Sequence, residues 1–263
     1  MELAFYGISK IEIFLLVFVR TAGIFTLVPI FGASQVPVQA RLAIALGITL
    51  VFVPLCTASV GPAPLAPDVP SMVLLIAKEA MIGLLIGFVT ILVFSAIQAA
   101  GDFVDLQSGF NFASTIDPVF HGSTAVCGRF HQIIAGLLFF VTNAHYILLS
   151  GLADSFQSVP VGSFAPNPAV VGGVMDIFVG LFAIALRIAA PVIAAVFLAD
   201  AALALIARAV PQMNVLMVGL PVKLGVGLVG MIVALPIAVA MSRSTLGDIH
   251  LYTSNLLKLL VVH

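Results

Sequence analysis

The chain has 263 residues, of which 62% are hydrophobic and 8% charged, with a formal net charge of −1. Soluble domains carry about a quarter charged residues, so this is the composition of an integral membrane protein. The near-zero charge suggests neither a nucleic-acid footprint nor an anionic-lipid patch, and any partner is expected to present an apolar surface.

After Met1 the chain has Glu2 in place of a basic start and enters an apolar run too long for the core of a signal peptide, so the N-terminus is expected to be retained. Runs long enough to span a bilayer lie at 11–31, 42–58, 72–98, 130–151, 170–199 and 213–241. They predict an all-α integral membrane protein with about six long apolar helical segments, kinked by Pro and Gly and paired in hairpins, within a single domain over 1–263.

Most of these runs hold something a lipid-facing helix tolerates poorly. The first contains Glu12 and Arg20, the third Lys78 and Glu79, the fifth Arg187 and Pro191, and the last Lys223 with Pro221 and Pro236. Charges at membrane depth are costly and face protein or water, and proline strips a helix of one hydrogen bond. The helices are therefore expected to pack largely against protein. Lys78 and Glu79 are adjacent and diverge around a helix, so each should meet a different helix or subunit. Gly83-xxx-Gly87 permits close helix approach, and Gly225, Gly227 and Gly230 form a second smooth stripe.

The connectors 59–71 and 152–169 are Pro-rich and lack Lys and Arg. If six segments span, Arg41, Arg129 and Arg208 fall on one side and Lys10, Arg243 and Lys258 on the other, so the positive-inside rule gives no orientation. The final stretch, Thr245 to His263, reads as an amphipathic helix with Lys258 on an apolar face.

No HExxH, P-loop, GxSxG or paired-cysteine pattern occurs. Cys56 and Cys127 read as buried small hydrophobes, and His121, His131 and His145 lack the spacing of helical metal ligands. Asp102 and Asp105 share a helix face and could bind a cation or relay protons, but a solvated polar turn is the favoured reading. No catalytic constellation and no cofactor are expected.

Two blocks stand apart. In "RAVPQMNVLMVGLPVKLGVG", Pro211 breaks one helix from the next, Gln212 and Asn214 can satisfy bare backbone groups, and Gly219-Leu220-Pro221 kinks the second helix, as in a tight helical hairpin. In "DLQSGFNFASTIDPVFHG", an aliphatic chain turns polar, places Phe110 and Phe112 among small residues, and then reaches Asp117-Pro118. That stretch reads either as a surface loop packed on its own scaffold or as a functional insert.

The ordered set Arg20…Pro29-Ile30-Phe31-Gly32…Pro37…Arg41, Lys78-Glu79 with Gly83 and Gly87, Gly109-Phe110…Asp117-Pro118, Asn143-xx-Tyr146, Pro160-Val161-Gly162 and Pro211-Gln212-Met213-Asn214…Gly219-Leu220-Pro221-Val222-Lys223 resembles the FliR family of the flagellar export gate. The resemblance covers nearly the whole chain. It implies a non-enzymatic subunit of a type III secretion export gate, packed in a hetero-oligomeric helical ring with FliP-like and FliQ-like subunits beside an FlhB-like switch protein. The ring would sit in the bacterial inner membrane at the base of the flagellar basal body and pass unfolded proteins. Injectisomes hold a similar relative.

The resemblance also implies a pore-plug loop on Gly109, Phe110, Asn111, Phe112, Ala113, Ser114, Thr115, Ile116, Asp117, Pro118 and Phe120. The phenylalanines would exclude water from the lumen, and the small residues would keep the backbone adaptable. Assembly and buried-polar roles fall on Arg20, Pro37, Arg41, Lys78, Glu79, Pro211, Gln212, Asn214, Gly219, Pro221 and Lys223. A competing reading is a six-helix secondary transporter of a small molecule, using Lys78, Glu79, Asp102 or Arg187 at midplane.

Overall fold

A computed structural model describes residues 2–32, 36–59, 65–110 and 125–260. Among these the regular structure is helical: α1 Glu2–Leu27, α2 Pro29–Gly32, α3 Val38–Ser59, α4 Val69–Ser108, α5 Val126–Val141, α6 Ala144–Ser158, α7 Ala169–Ala209, α8 Val215–Gly247 and α9 Ile249–Leu260. The chain divides into two compact units. One holds Met1–Leu92, Asn143–Phe178 and Gly247–His263; the other holds Val93–Thr142 and Val179–Leu246.

Four helical stretches are long and apolar enough to cross a membrane: Val38–Thr57, Val69–Ser108, Ala169–Ala209 and Leu216–Leu260. Counting α5 and α6 together as one broken span gives five, fewer than the six expected. The shortfall lies in α1, where Glu2, Lys10, Glu12 and Arg20 make the helix too charged by composition. The run 130–151 is also not one helix. It breaks at Thr142 and Asn143, where Asn143 adopts the left-handed conformation (φ 57°, ψ 28°) that Asn tolerates better than most residues. Thr142 N–H closes α5 on Leu138 O at 2.8 Å, and Tyr146 N–H starts α6 on Asn143 O at 2.9 Å.

In the first unit, Ile13, Leu16 and Val17 of α1 pack with Cys56 and Val161. Gly23, Gly83 and Gly87 let α1 and α4 meet at backbone distance. A Cβ on Gly83 would strike the Arg20 carbonyl oxygen, and one on Gly87 would lie 3.0 Å from the Ile24 oxygen. The close approach expected of Gly83-xxx-Gly87 is thus present within the chain itself. Glu12 accepts Leu65 N–H at 2.9 Å. Asp68 starts α4 by accepting Ser71 N–H at 3.1 Å, and its hydrogen bonds from Ser71 hold its carboxyl below the usual carboxylate range.

Helix α9 is amphipathic as expected, with Ile249, Thr253, Leu256, Leu257 and Leu260 buried. Lys258 lies on its exposed face, not the apolar one. The burial pattern puts 256, 257 and 260 inward and leaves 258 outward, the normal place for an ammonium.

In the second unit, Ala100 and Val104 of α4, Cys127 of α5, Ala185, Ile188 and Val192 of α7, and Ala234 and Ala238 of α8 form the core. The preponderance of alanine lets the four helices approach closely. Of the expected glycine stripe, Gly227 faces Ser108 and Gly230 faces Val192, while Gly225 has open space where a side chain would lie. Cys56 and Cys127 are buried and form no disulfide among the described residues.

Candidate functional site

The first unit is centred on a fully buried ion pair. Arg20 Nε donates to Glu79 Oε2 at 2.6 Å, and neither side chain is exposed. The Arg20 Nη1 group donates to Ser155 O at 2.9 Å, Ser155 Oγ at 3.2 Å and Val159 O at 3.0 Å, and the guanidinium lies 4.4 Å from the centre of the Phe156 ring. The second Glu79 oxygen accepts Gly162 N–H at 2.9 Å.

Local sequence explains this geometry. Helix α6 ends at Ser158: Ser155 O accepts Val159 N–H at 2.9 Å and takes Arg20 as a second donor, while Val159 O lies past the helix end, and both lie at the negative end of the helix dipole. Gly162 has φ +84°, a conformation glycine adopts without a Cβ penalty, and its N–H reaches the carboxylate. Pro160-Val161-Gly162 is thereby the turn that completes the Glu79 site. Glu79 meets another helix, as its position beside Lys78 suggested, while Lys78 is half-buried with no ion pair or hydrogen bond among the described residues.

The second unit contains a carboxylate that sequence reasoning misplaced. Asp105 is fully buried, not part of a solvated turn; its Oδ1 accepts Cys127 N–H and its Oδ2 accepts Gly128 N–H, each at 3.0 Å. These are bare donors of the first turn of α5, whose own N-cap residue, Ala125, supplies no side-chain acceptor. One helix thus caps the start of another, with negative charge at the positive end of the helix dipole. Gly101 and Gly128 allow the contact, since a Cβ on Gly101 would strike Cys127 O and one on Gly128 would strike Asp102 Oδ1. The missed signal was a carboxylate near the end of α4 together with a later helix start, at Ala125, that has no capping side chain of its own.

Asp105 also receives Gly109 and Phe110 N–H on its carbonyl, each at 3.1 Å, as α4 ends with Gly109 at φ +82°. Phe110 is half-buried and packs against the core of the second unit. The remaining residues of the expected plug, Asn111, Phe112, Ala113, Ser114, Thr115, Ile116, Asp117, Pro118 and Phe120, lie outside the described residues.

Between α7 and α8 the chain turns tightly. Val210 N–H bonds to Ile206 O at 2.8 Å, Met213 N–H to Val210 O at 3.1 Å, and Asn214 caps α8 by accepting Met217 N–H on its side chain at 3.3 Å. Pro211 and Gln212 are exposed on this turn. Further along, Lys223 pairs with Asp200 at 3.0 Å, and Gln107 donates to the same carboxylate at 3.3 Å. Gly219 is buried, and α8 continues through Pro221 and Pro236. In the first unit Pro37 is exposed ahead of α3, and Arg41 donates to Val36 O at 3.0 Å, tying the start of that helix.

Two histidines have ordinary packed surroundings. His131 bonds through Nδ1 to Cys127 O at 2.9 Å, and His145 stacks on Tyr146. Among the described residues no group of His, Cys, Asp and Glu could hold a metal ion.

Long apolar helices joined by buried charges and helix-end caps define a membrane protein whose polar groups are structural. A family model described as bacterial export proteins, family 1, matches residues 11–249. Flagellar biosynthetic protein FliR of Bacillus subtilis (strain 168) is 35% identical over 88% of this chain and 89% of the relative. The FliR of Escherichia coli (strain K12) is 28% identical over 88% and 87%. Yop proteins translocation protein T of Yersinia pestis is 39% identical over 59% of this chain and 60% of its own length. The chain belongs to the FliR family of bacterial export proteins.

Membership removes support from the small-molecule transporter reading. Of the residues that reading used, Glu79 is saturated by Arg20 and Gly162, and Arg187 stands exposed on α7.

Proposed function

We propose that this protein is a structural, non-catalytic subunit of a type III protein-export gate, contributing pore wall and a plug loop to a channel for unfolded proteins. The observation that carries the reading is the family match over 11–249, with relatives named for both flagellar biosynthesis and Yop translocation. The flagellar relative aligns over 88% of the chain and the Yop relative over 59%, which favours the flagellar system. The match runs through both compact units, in keeping with one export-gate domain over 1–263.

The partners are FliP-like and FliQ-like gate subunits and an FlhB-like switch protein, and the site is the bacterial inner membrane at the base of the flagellar basal body. Surface composition supports assembly. Only 17% of the most apolar window is buried in each of Val38–Thr57 and Leu216–Leu260, against 56% in Val69–Ser108, so two spans have most of their surface available to neighbours or lipid.

The plug assignment falls on Gly109 to Phe120, in which Phe110 and Phe112 would supply bulk and Ile116 and Phe120 would extend the apolar constriction. Native mass spectrometry of the tagged chain, co-expressed with the small membrane proteins encoded beside it, tests the reading. A discrete hetero-oligomer supports it, whereas a monomer or homodimer that ignores those neighbours sinks it. Phe112→Ala in the assembled complex should then raise ion leakage, and an unchanged leak would remove the plug assignment.

A further inference from the structure

Helices α7 and α8 enclose an open apolar groove of about 500 Å³ in the second unit. Pro191 and Ala195 form one wall, and Gly225, Val229, Gly230 and Val233 form much of the other. Gly225 is exposed on this wall, and nothing lies within 4 Å of where its Cβ would be. One turn before Pro191 on the same stripe of α7 stands Arg187, exposed on a helix of high hydropathy.

Arg187 makes no ion pair or hydrogen bond among the described residues. In the same unit Asp105 is engaged by Cys127 and Gly128, and Asp200 by Lys223. Pro191 has no N–H to give the Arg187 carbonyl, so a cation and a bare acceptor share one turn. A guanidinium on an apolar helix needs a counter-charge wherever that face is covered by protein or lipid, and the groove beside it is lined by apolar residues.

We propose that this groove seats a transmembrane helix of a partner subunit, packed by small and aliphatic side chains along Gly225 to Val233 and carrying one Asp or Glu level with Arg187. The proposal rests on the export-gate reading and assigns part of that assembly to a named surface. Charge complementarity selects an acidic helix over a neutral one, and the missing side chain at Gly225 gives its backbone room to approach.

The test uses the full chain co-expressed with its gate partners, with Arg187→Glu, Arg187→Gln and Gly225→Leu compared by yield of assembled complex. Gly225→Leu points into open space in this chain, so its effect reports the partner and not the fold. Arg187→Glu and Gly225→Leu are each expected to lower assembled complex at least tenfold while the chain itself accumulates normally. An acid-to-lysine change on one partner helix should restore the Arg187→Glu variant. Normal assembly of both variants overturns the seat. So does unchanged protein stoichiometry with loss of a bound anionic lipid in Arg187→Gln, since the occupant is then lipid. A wild-type chain that assembles with nothing defeats the export-gate reading and this seat together.

Discussion

Arg20 and Glu79 lie 59 positions apart in sequence, yet their side chains meet at 2.6 Å with neither exposed. Removing one member of such a pair strands a buried charge and costs about 3–5 kcal/mol, whereas replacing both by apolar residues can be nearly neutral. Glu79→Leu is therefore expected to impair stability and gate assembly strongly, and Arg20→Met with Glu79→Leu to recover part of the loss. Thermal unfolding in detergent, arranged as a double-mutant cycle, measures the recovery; additive losses would show that the two residues do not act as a pair.

Asp68→Ala is the contrasting change. Asp68 is exposed and its folded pKa is depressed by Ser71, so its contribution is complete above the ordinary value of 3.8 and is lost as pH falls through the lower folded value. At neutral pH secretion and complex yield should be close to wild type and well above those of Glu79→Leu. Equal losses in the two variants would contradict the contrast.

Gly83→Ala places a methyl against the Arg20 carbonyl oxygen, a backbone atom that can move only with α1. A cost of about 1–3 kcal/mol is expected from the overpacking. Gly136→Ala meets nothing within 4 Å and should be neutral or gain up to ~1 kcal/mol from helix propensity. Scanning calorimetry of the two variants separates packing from propensity, and equal melting temperatures would count against close packing at Gly83.

Asp105→Ala removes both acceptors from the first turn of α5. Leaving buried donors unpaired costs about 1–3 kcal/mol, and the effect should be local. Hydrogen exchange at Cys127 and Gly128 is expected to accelerate more than at Leu137 or Leu138 deeper in the helix. Uniform acceleration along α5 would mean that Asp105 does not act as a cap.

Lys223→Met tests the weaker ion pair. With side-chain exposures of 25% and 36%, Lys223 and Asp200 are partly accessible, and a loss under about 1 kcal/mol is expected. A loss as large as that of Glu79→Leu would mean that the pair is sealed from water in the assembled protein.

Much of this architecture was legible because its causes are local. Gly83 and Gly87 mark a close helix approach by spacing alone, and Pro211 with Asn214 marks a helix break with its own cap. Charges inside apolar runs identified Arg20 and Glu79 as buried, although the sequence does not show that they meet, since contact depends on the tertiary path of α1 and α4. Asp105 was misread for the same reason: its acceptors serve amides 22 and 23 positions on. The break at Asn143 was hidden because one left-handed residue leaves hydropathy unchanged.

The Arg20 site has a consequence for biosynthesis. Its last acceptor, Val159 O, is 139 positions downstream of the guanidinium. At roughly 5–20 residues per second, a ribosome needs about 7–30 s to cover that distance. Throughout that interval the emerging first helix carries a cation whose final partners have not all been made. Water, a lipid headgroup or the translocon is left to host that charge until Glu79 and then the end of α6 are made, so the site is completed only late in synthesis.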